Sequence, residues 1–352
     1  MFISGCDLHP RYQQIAMLDM TTGEVVTRRL EHENGEARAF YASLQGPVRV
    51  GIEATGYTQW FERMLKELEQ ELWFGDAARI RARALRRQKT DRRDAEHILD
   101  LLRTDLFPRL WVPSPEERDL RQRLKHRQKL VGMRPSVKNQ LHYLAMSQGV
   151  CRKGKRWTKR GGQELERLEL GQWASRRGKE LLEWLDRLEP EIAELDQVVE
   201  SEGQSRPDVV ELRKQHKGVG AVVGLAFVLT IGPVERFKRS GPVVSYLGLN
   251  PREDSSGGHQ RLGHISKQGN EMMRWLLVEA GQSAVQYDPE LRRKYQRLKF
   301  RRGAKVAKVA SARQLAVRMF WTLRQLQAAT SPVGMSGSPA RTLVEEAIPS
   351  LP

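Results

Sequence analysis

Four carboxylates and one hydroxyl carry the chemistry this chain could do: Asp7, Glu53, Asp91, Asp94 and Ser256. Magnesium takes hard oxygen ligands and keeps part of its coordination for water and substrate phosphate, so a phosphodiester-cutting site draws carboxylates from several segments. Asp7 follows one short apolar run and Glu53 ends another, VRVGIE, while Asp91 and Asp94 stand in KTDRRDA. Three residues apart on a helix, the last two point the same way. Two ions in such a cage activate an attacking oxygen and stabilise the leaving one. Any one of these acids alone reads as an ordinary turn or cap; their combination and order argue for a Mg2+ site. His9 is weighed evenly between a role at the metal and a structural one.

Ser256 lies in SSGGHQRLGHISKQGN. Neighbouring glycines let a phosphate approach the backbone, and Arg261, His264 and Lys267 would neutralise transition-state charge. A serine needs a base or metal to become a nucleophile. Ser255 is the second choice, and an ordinary flexible turn is the bland alternative.

The apolar runs that must position these groups read strand, strand, strand, helix, strand, helix, strand, helix, the order of an RNase H-like domain. FISGCDLH, QQIAMLDM and GEVVTRRLEH form a meander, Glu36 to Leu44 is helical, VRVGIEA is a fourth strand, a helix starts at Gly56, and LWFGD is a fifth strand. The stretch from Ala77 to Arg93 is basic, including Lys89, Arg92 and Arg93, and leads into the carboxylate pair and a helix ending before Pro108. It is read as a nucleic-acid contact or a solvated face. Asp100 and Asp105 read as surface charges.

Pro113, Ser114 and Pro115 punctuate a boundary. Beyond it, Leu120 to Leu144 form a helical stripe interrupted by Pro135, and Leu181 to Val199 a heptad seam that Pro190 should kink or restart. Together they suggest an antiparallel coiled hairpin. Gly203 to Pro207 reads as a linker. HKGVG with Gly218 and Gly220 resembles a helix-hairpin-helix turn, read equally as a phosphate grip and as a plain helix cap. KYQRLKFRRGAKVAK, with Arg301 and Arg302, suits a backbone contact with stacking or a solvated helix. The expected division is an α/β catalytic domain over 1–112, a helical coiled-coil arm over 113–206, a mainly helical domain bearing the serine over 207–327, and a disordered tail over 328–352.

Sixty Lys and Arg against 43 Asp and Glu give a formal net charge of +17 over 352 residues. Such an excess points to a polyanion partner, with nucleic acid ahead of a membrane surface. No apolar stretch approaches the ~18 residues of a spanning helix. The amino terminus lacks the pattern of a secretory signal, so the expected location is cytoplasmic. Cys6 and Cys151 make neither a disulfide framework nor a zinc pair.

GCDLH, GIEATGYTQWFERML, RQKTDRRDAEHILDLL, the charged helical arm, and HKGVG through YLGLNPREDSSGG to ISKQGN together resemble the DEDD transposases of the IS110 insertion-sequence family, relatives of the Piv invertase. The likeness spans nearly the whole chain, although His216 replaces a proline usual in the family's hairpin. It implies a RuvC-like domain with its acidic quartet at Asp7, Glu53, Asp91 and Asp94, and a nucleophile at Ser256. It further implies a noncoding bridge RNA pairing with double-stranded donor and target DNA, and a homodimer assembling into a tetrameric synapse. There the metal centre of one subunit would meet the serine of another. A RuvC-like branched-DNA endonuclease using water, and a noncatalytic nucleic-acid scaffold, are the alternatives.

Overall fold

The computed structural model describes residues 1–84, 90–150, 167, 169–256, 259 and 261–330. The chain divides into two compact units, the first Met1–Val112 and the second starting at Pro113. Lys89, Cys151 and residues 331–352 of the expected tail lie outside the described residues.

The first unit is built on β1 (Phe2–Leu8), β2 (Tyr12–Asp19), β3 (Val25–Glu31), β4 (Val48–Glu53) and β5 (Glu71–Gly75), in the order β3-β2-β1-β4-β5. The first three strands pair antiparallel, whereas β4 runs parallel to both β1 and β5. Side chains alternate across a strand, and here both faces are covered. Cys6, Leu8, Val50, Ile52 and Phe74 pack with α1 (Glu36–Ser43) and α2 (Gln59–Glu67). Ile3 and Ala16 face α3 (Ala77–Ala82) and α4 (Asp91–Arg103). Helix α2 begins three residues after Gly56, and α3 lies inside the basic stretch that sequence left without an element. Asp76 caps it, accepting from the Arg79 amide at 3.0 Å.

Glycine decides how near α4 comes to the sheet. A Cβ on Gly5 would stand 2.2 Å from the Ala95 carbonyl oxygen and 2.3 Å from the Leu99 amide, and one on Gly51 would stand 2.7 Å from the Leu102 side chain. Asp7 and Glu53 lie two residues further along β1 and β4, hence on the same face.

In the second unit, Ser114 and Glu117 form a capping box at the start of α5 (Pro115–Ser147). Helix α6 (Gln172–Ser205) returns antiparallel beside it. Arg127 pairs with Asp196, while Arg134 and Lys138 both hold Glu189, at 3.2 and 2.8 Å. Neither proline ends a helix: α5 runs through Pro135, and α6 continues through Pro190 without restarting there. Each proline ring is exposed, and Leu130, Val137, Leu188 and Ile192 hold the helices together from the buried side. Nor is there a linker at Gly203 to Pro207. Helix α6 reaches Ser205, only Arg206 is non-helical, and α7 (Pro207–Gln215) starts directly, with Gly203 buried against Ala221 and Val209.

Helix α8 (Ala221–Ile231) is apolar all round and nearly all buried, as a central core helix must be. Arginine serves the carbonyls at its buried C-terminal end, Arg121 donating to Leu229 and Arg236 to Ile231. Around it lie a 3-10 turn (Val234–Arg236), α9 (Ser240–Tyr246), α10 (Glu271–Tyr287), α11 (Pro289–Arg302) and α12 (Ala304–Thr330). Strands β6 (Pro251–Glu253) and β7 (Leu262–Ile265) form a separate hairpin. Residues 328–330 are helical, not tail.

Gly5→Ala places a methyl against helix backbone that cannot rotate away. It should lower the stability of the first unit by more than about 2 kcal/mol, read as a lower denaturant midpoint. A midpoint equal to that of the parent would contradict the close approach of α4.

Candidate active site

Strand β1 carries Asp7 to the end of the sheet, and β2 turns back beside it. At that end Asp7, His9 and Asp91 each offer a ligand atom, all within 4.8 Å of one another. His9 Nε2 lies 3.1 Å from Asp7 Oδ2 and 3.5 Å from Asp91 Oδ2. Tyr12 donates its hydroxyl to Asp91 Oδ2 at 2.7 Å and stacks on the His9 ring at 4.7 Å. The Arg29 guanidinium covers the other side of the tyrosine, 3.7 Å from its ring centre. Sequence reading missed Tyr12. Its position at the start of the strand paired with β1 is the signal that could have found it.

Asp91 and Asp94 occupy the first turn of α4, where the helix dipole favours negative charge. Thr90 caps that end, accepting from the Arg93 amide at 3.3 Å. Asp7 has no such help. Burial holds its carboxyl above the usual range; His9 opposes that shift, and the charges of Asp94 and Asp91 add to it. The hydrogen bond to Asp91 likewise raises the Tyr12 hydroxyl.

Of the four acids expected at the metal, Asp7 and Asp91 are in this cluster. His9 joins them, while Glu53 and Asp94 stand outside it. Glu53 follows Ile52, the partner of Cys6, so it flanks Asp7 at the neighbouring strand end. Asp94 is near enough for its charge to act on Asp7. Two carboxylates and an imidazole, with two more acids beside them, suit a divalent cation that prefers oxygen and tolerates one nitrogen.

The loop between β6 and β7 carries both serines. The Ser255 hydroxyl donates to Glu253 Oε1 at 2.8 Å and accepts from the Arg261 amide at 3.1 Å, so it builds the turn. Ser256 is exposed, its backbone bridges to His259, and its hydroxyl has no hydrogen-bond partner among the described residues. Arg261, His264 and Lys267 are exposed around it, Lys267 with a left-handed φ of 57°. Residues 257, 258 and 260 lie outside the described residues. The hairpin is held from below: Gly248 (φ 68°) lets its segment touch the Gln268 carbonyl, and the Ser266 amide donates to Asn250 at 2.9 Å.

The HKGVG turn is packed into the second unit. A Cβ on Gly218 (φ 91°) would stand 2.7 Å from the Ala284 amide of α10, and His216 Nε2 lies 2.9 Å from the Thr322 hydroxyl of α12. Gly218 thus serves helix packing, whereas Gly220 caps α8 with open space around it. Arg92 pairs with Glu96, and Arg93 lies in the first turn of the same helix. Arg301 and Arg302 end α11, both exposed.

Comparison with known proteins shows the family. Residues 4–146 match the DEDD transposase model of the IS110 type, and residues 211–296 the model described as transposase, IS116/IS110/IS902 family. A Pseudomonas aeruginosa protein named as a family 20 transposase is 28% identical over 333 residues, which is 91% of this chain and 95% of that one. The transposase for insertion sequence element IS1111A of Coxiella burnetii is 25% identical over 294 residues, 81% of this chain and 78% of its own. The chain belongs to the IS110/IS116 family of transposases. Its DEDD domain implies divalent-metal use, and Asp7, His9 and Asp91 are the candidate metal ligands. No helix among the described residues is long and apolar enough to cross a membrane.

The raised Asp7 carboxyl has a thermodynamic consequence. An acid whose folded pKa lies above its unfolded value stabilises the fold fully below the unfolded value, and that contribution is lost as pH rises through the folded one. At neutral pH without metal, ionised Asp7 therefore opposes folding. Asp7→Asn should raise the metal-free thermal midpoint at pH 7 and leave it unchanged at pH 3, while abolishing the rise that Mg2+ or Mn2+ gives the parent. A variant that melts lower at pH 7, or still responds fully to the ion, would contradict this account.

Proposed function

We propose that this transposase cuts and rejoins DNA of a mobile element at a divalent-metal centre held by Asp7 and Asp91, with Glu53 and Asp94 completing the acidic set and Ser256 as attacking group. The observation that carries the reading is the convergence of Asp7, His9 and Asp91 where β1 meets the start of α4. The strand order β3-β2-β1-β4-β5 supports an RNase H-like, RuvC-like domain.

A bound divalent cation, Mg2+ in this reading, would supply electrostatic stabilisation of the developing phosphate charge. His9 orients the Asp7 carboxylate, and Tyr12 fixes that of Asp91. Ser256 loses its hydroxyl proton to a base and forms an Oγ–P bond as the bond from phosphorus to one deoxyribose oxygen breaks. The departing oxygen takes up a proton and becomes a free hydroxyl end. Attack by a hydroxyl end of a second strand reverses the step, restoring the serine and joining the strands. One phosphodiester is exchanged for another, so no co-reactant is needed. The engaged Ser255 and the unengaged, exposed Ser256 support the choice between them.

The family likeness and the net charge of +17 support the wider reading. The protein works with a noncoding bridge RNA and double-stranded donor and target DNA, as a homodimer assembling into a tetrameric synapse in which the acids and serine come from different subunits.

The test is a covalent adduct. Parent protein incubated with cognate DNA and Mg2+ should give a protein–DNA species that survives denaturation. Ser256→Ala should give none, and Asp7→Asn or Asp94→Asn should reduce it by at least about a hundredfold. Recombination by Ser256→Ala at the parental rate would instead support attack by water. Unchanged activity in both Asp variants would remove the metal from the reaction. RNA purified with the protein should be one discrete species, and a random cellular mixture would count against guidance.

A further inference from the structure

Helix α11 has two unlike faces. Leu291 is buried, and Tyr295 and Leu298 are half-buried beneath it, which fixes the inward side. At 100° per residue Phe300 falls almost opposite that side, flanked by Arg293, Gln296 and Arg297. Its ring is 94% exposed, far more than any other large apolar residue described. The fold gains almost nothing from a side chain that touches so little of it.

The cations of this helix fall into two groups. Arg292 donates to the Val285 and Gln286 carbonyls, and Lys294 pairs with Glu290. By contrast Arg293, Arg297, Arg301 and Arg302 have no carboxylate partner among the described residues. Arg293 and Arg297 sit about 6 Å apart along the axis. Phe300, Arg301 and Arg302 also lie beyond residues 211–296, where the family model matches.

We infer that the outward face of α11 binds single-stranded DNA, its arginines on the backbone and Phe300 stacked on an unpaired base. Charge complementarity selects a polyanion, and the ring selects what kind. Phenylalanine can neither donate nor accept a hydrogen bond, so it reads no base edge; it offers an aromatic face, and every unstacked base offers another. In an intact duplex those faces are already covered by neighbouring pairs. The inference rests on the proposed strand cleavage only for the source of such DNA, since cutting and exchange leave unpaired ends.

The experiment is a fluorescence-anisotropy titration of the full chain with a labelled DNA oligonucleotide, single or annealed to its complement, and with RNA of the same sequence. Phe300→Ala should weaken single-stranded DNA binding roughly tenfold, as loss of one base–aromatic stack does, and leave duplex binding within about twofold. Phe300→Tyr should restore the affinity. Arg297→Gln should weaken binding and flatten the slope of log affinity against log salt by about 0.7. The inference is overturned if Phe300→Ala binds single strands like the parent, or loses single and duplex binding equally, as a wedge would. It is equally overturned if only RNA binding falls, or if sedimentation shows a changed oligomeric state with DNA binding intact. The serine adduct separates this inference from the cleavage reading: an adduct without a Phe300 effect overturns only the inference, and a Phe300 effect without an adduct overturns only the cleavage chemistry.

Discussion

The close seating of α4 on the sheet is the constraint on which the candidate metal centre depends. Gly5 and Gly51 leave no side chain where Ala95, Leu99 and Leu102 press inward, so the start of α4 comes down to the strand ends. Asp7 and Glu53 are two residues beyond those glycines, and a two-residue step along a strand returns to the same face. Strand period and helix position together gather the acids. A longer side chain in either glycine position would lift the helix and with it Asp91 and Asp94.

That arrangement opposes folding locally and suits a cation. The dipole of α4 and the Thr90 cap favour acids at its first turn, an effect of roughly 0.3–1 kcal/mol at exposed sites. Asp7 comes from β1 rather than from that helix and is more deeply buried than Asp91, and its carboxyl is driven upward by desolvation and by its acidic neighbours. His9 offsets part of this. A divalent cation would remove the remaining cost at once, because it replaces repulsion among carboxylates by attraction to each. The first unit is therefore the part of the protein whose stability should track metal most closely.

Much of this architecture was legible in the residues. FISGCDL and QQIAMLD announce strands because the sheet is apolar on both faces, and EHILDLL announces a helix because one side alone meets the core. The acids were legible as separate candidates, but not which of them meet, since that depends on the depth at which α4 packs and the direction each carboxylate turns. The place of Tyr12 at the start of the strand beside β1 marked it as a neighbour of Asp7, but its hydrogen bond reaches a residue 79 positions away, which strand periodicity does not show. The prolines misled because their cost was judged without knowing which side of the helix they occupy. At Pro135 and Pro190 the ring faces solvent, and the buried leucines on the other side outweigh one lost hydrogen bond. Gly203 looked like a linker residue; its small size instead lets α6 pass close to Ala221.

The second unit treats its two glycine-containing turns oppositely. HKGVG is drawn into the core, with Gly218 against α10 and His216 against Thr322, where burial lowers the imidazole's affinity for a proton. The serine turn is pushed out, tied at its base by Ser266 and Asn250 and at its neck by Ser255. Cations divide the same way. Between α5 and α6, Arg127 is matched by Asp196, and Arg134 and Lys138 by Glu189, so these pairs hold the two helices in register. On α11, Arg293, Arg297, Arg301 and Arg302 stand exposed, as do Arg261, His264 and Lys267 in the segment after Ser256, where Arg261 holds the turn through its backbone amide. A formal charge of +17 spread evenly would only repel itself; where exposed arginines cluster without an ion-pair partner, as on the outward face of α11, the favoured neighbour is phosphate.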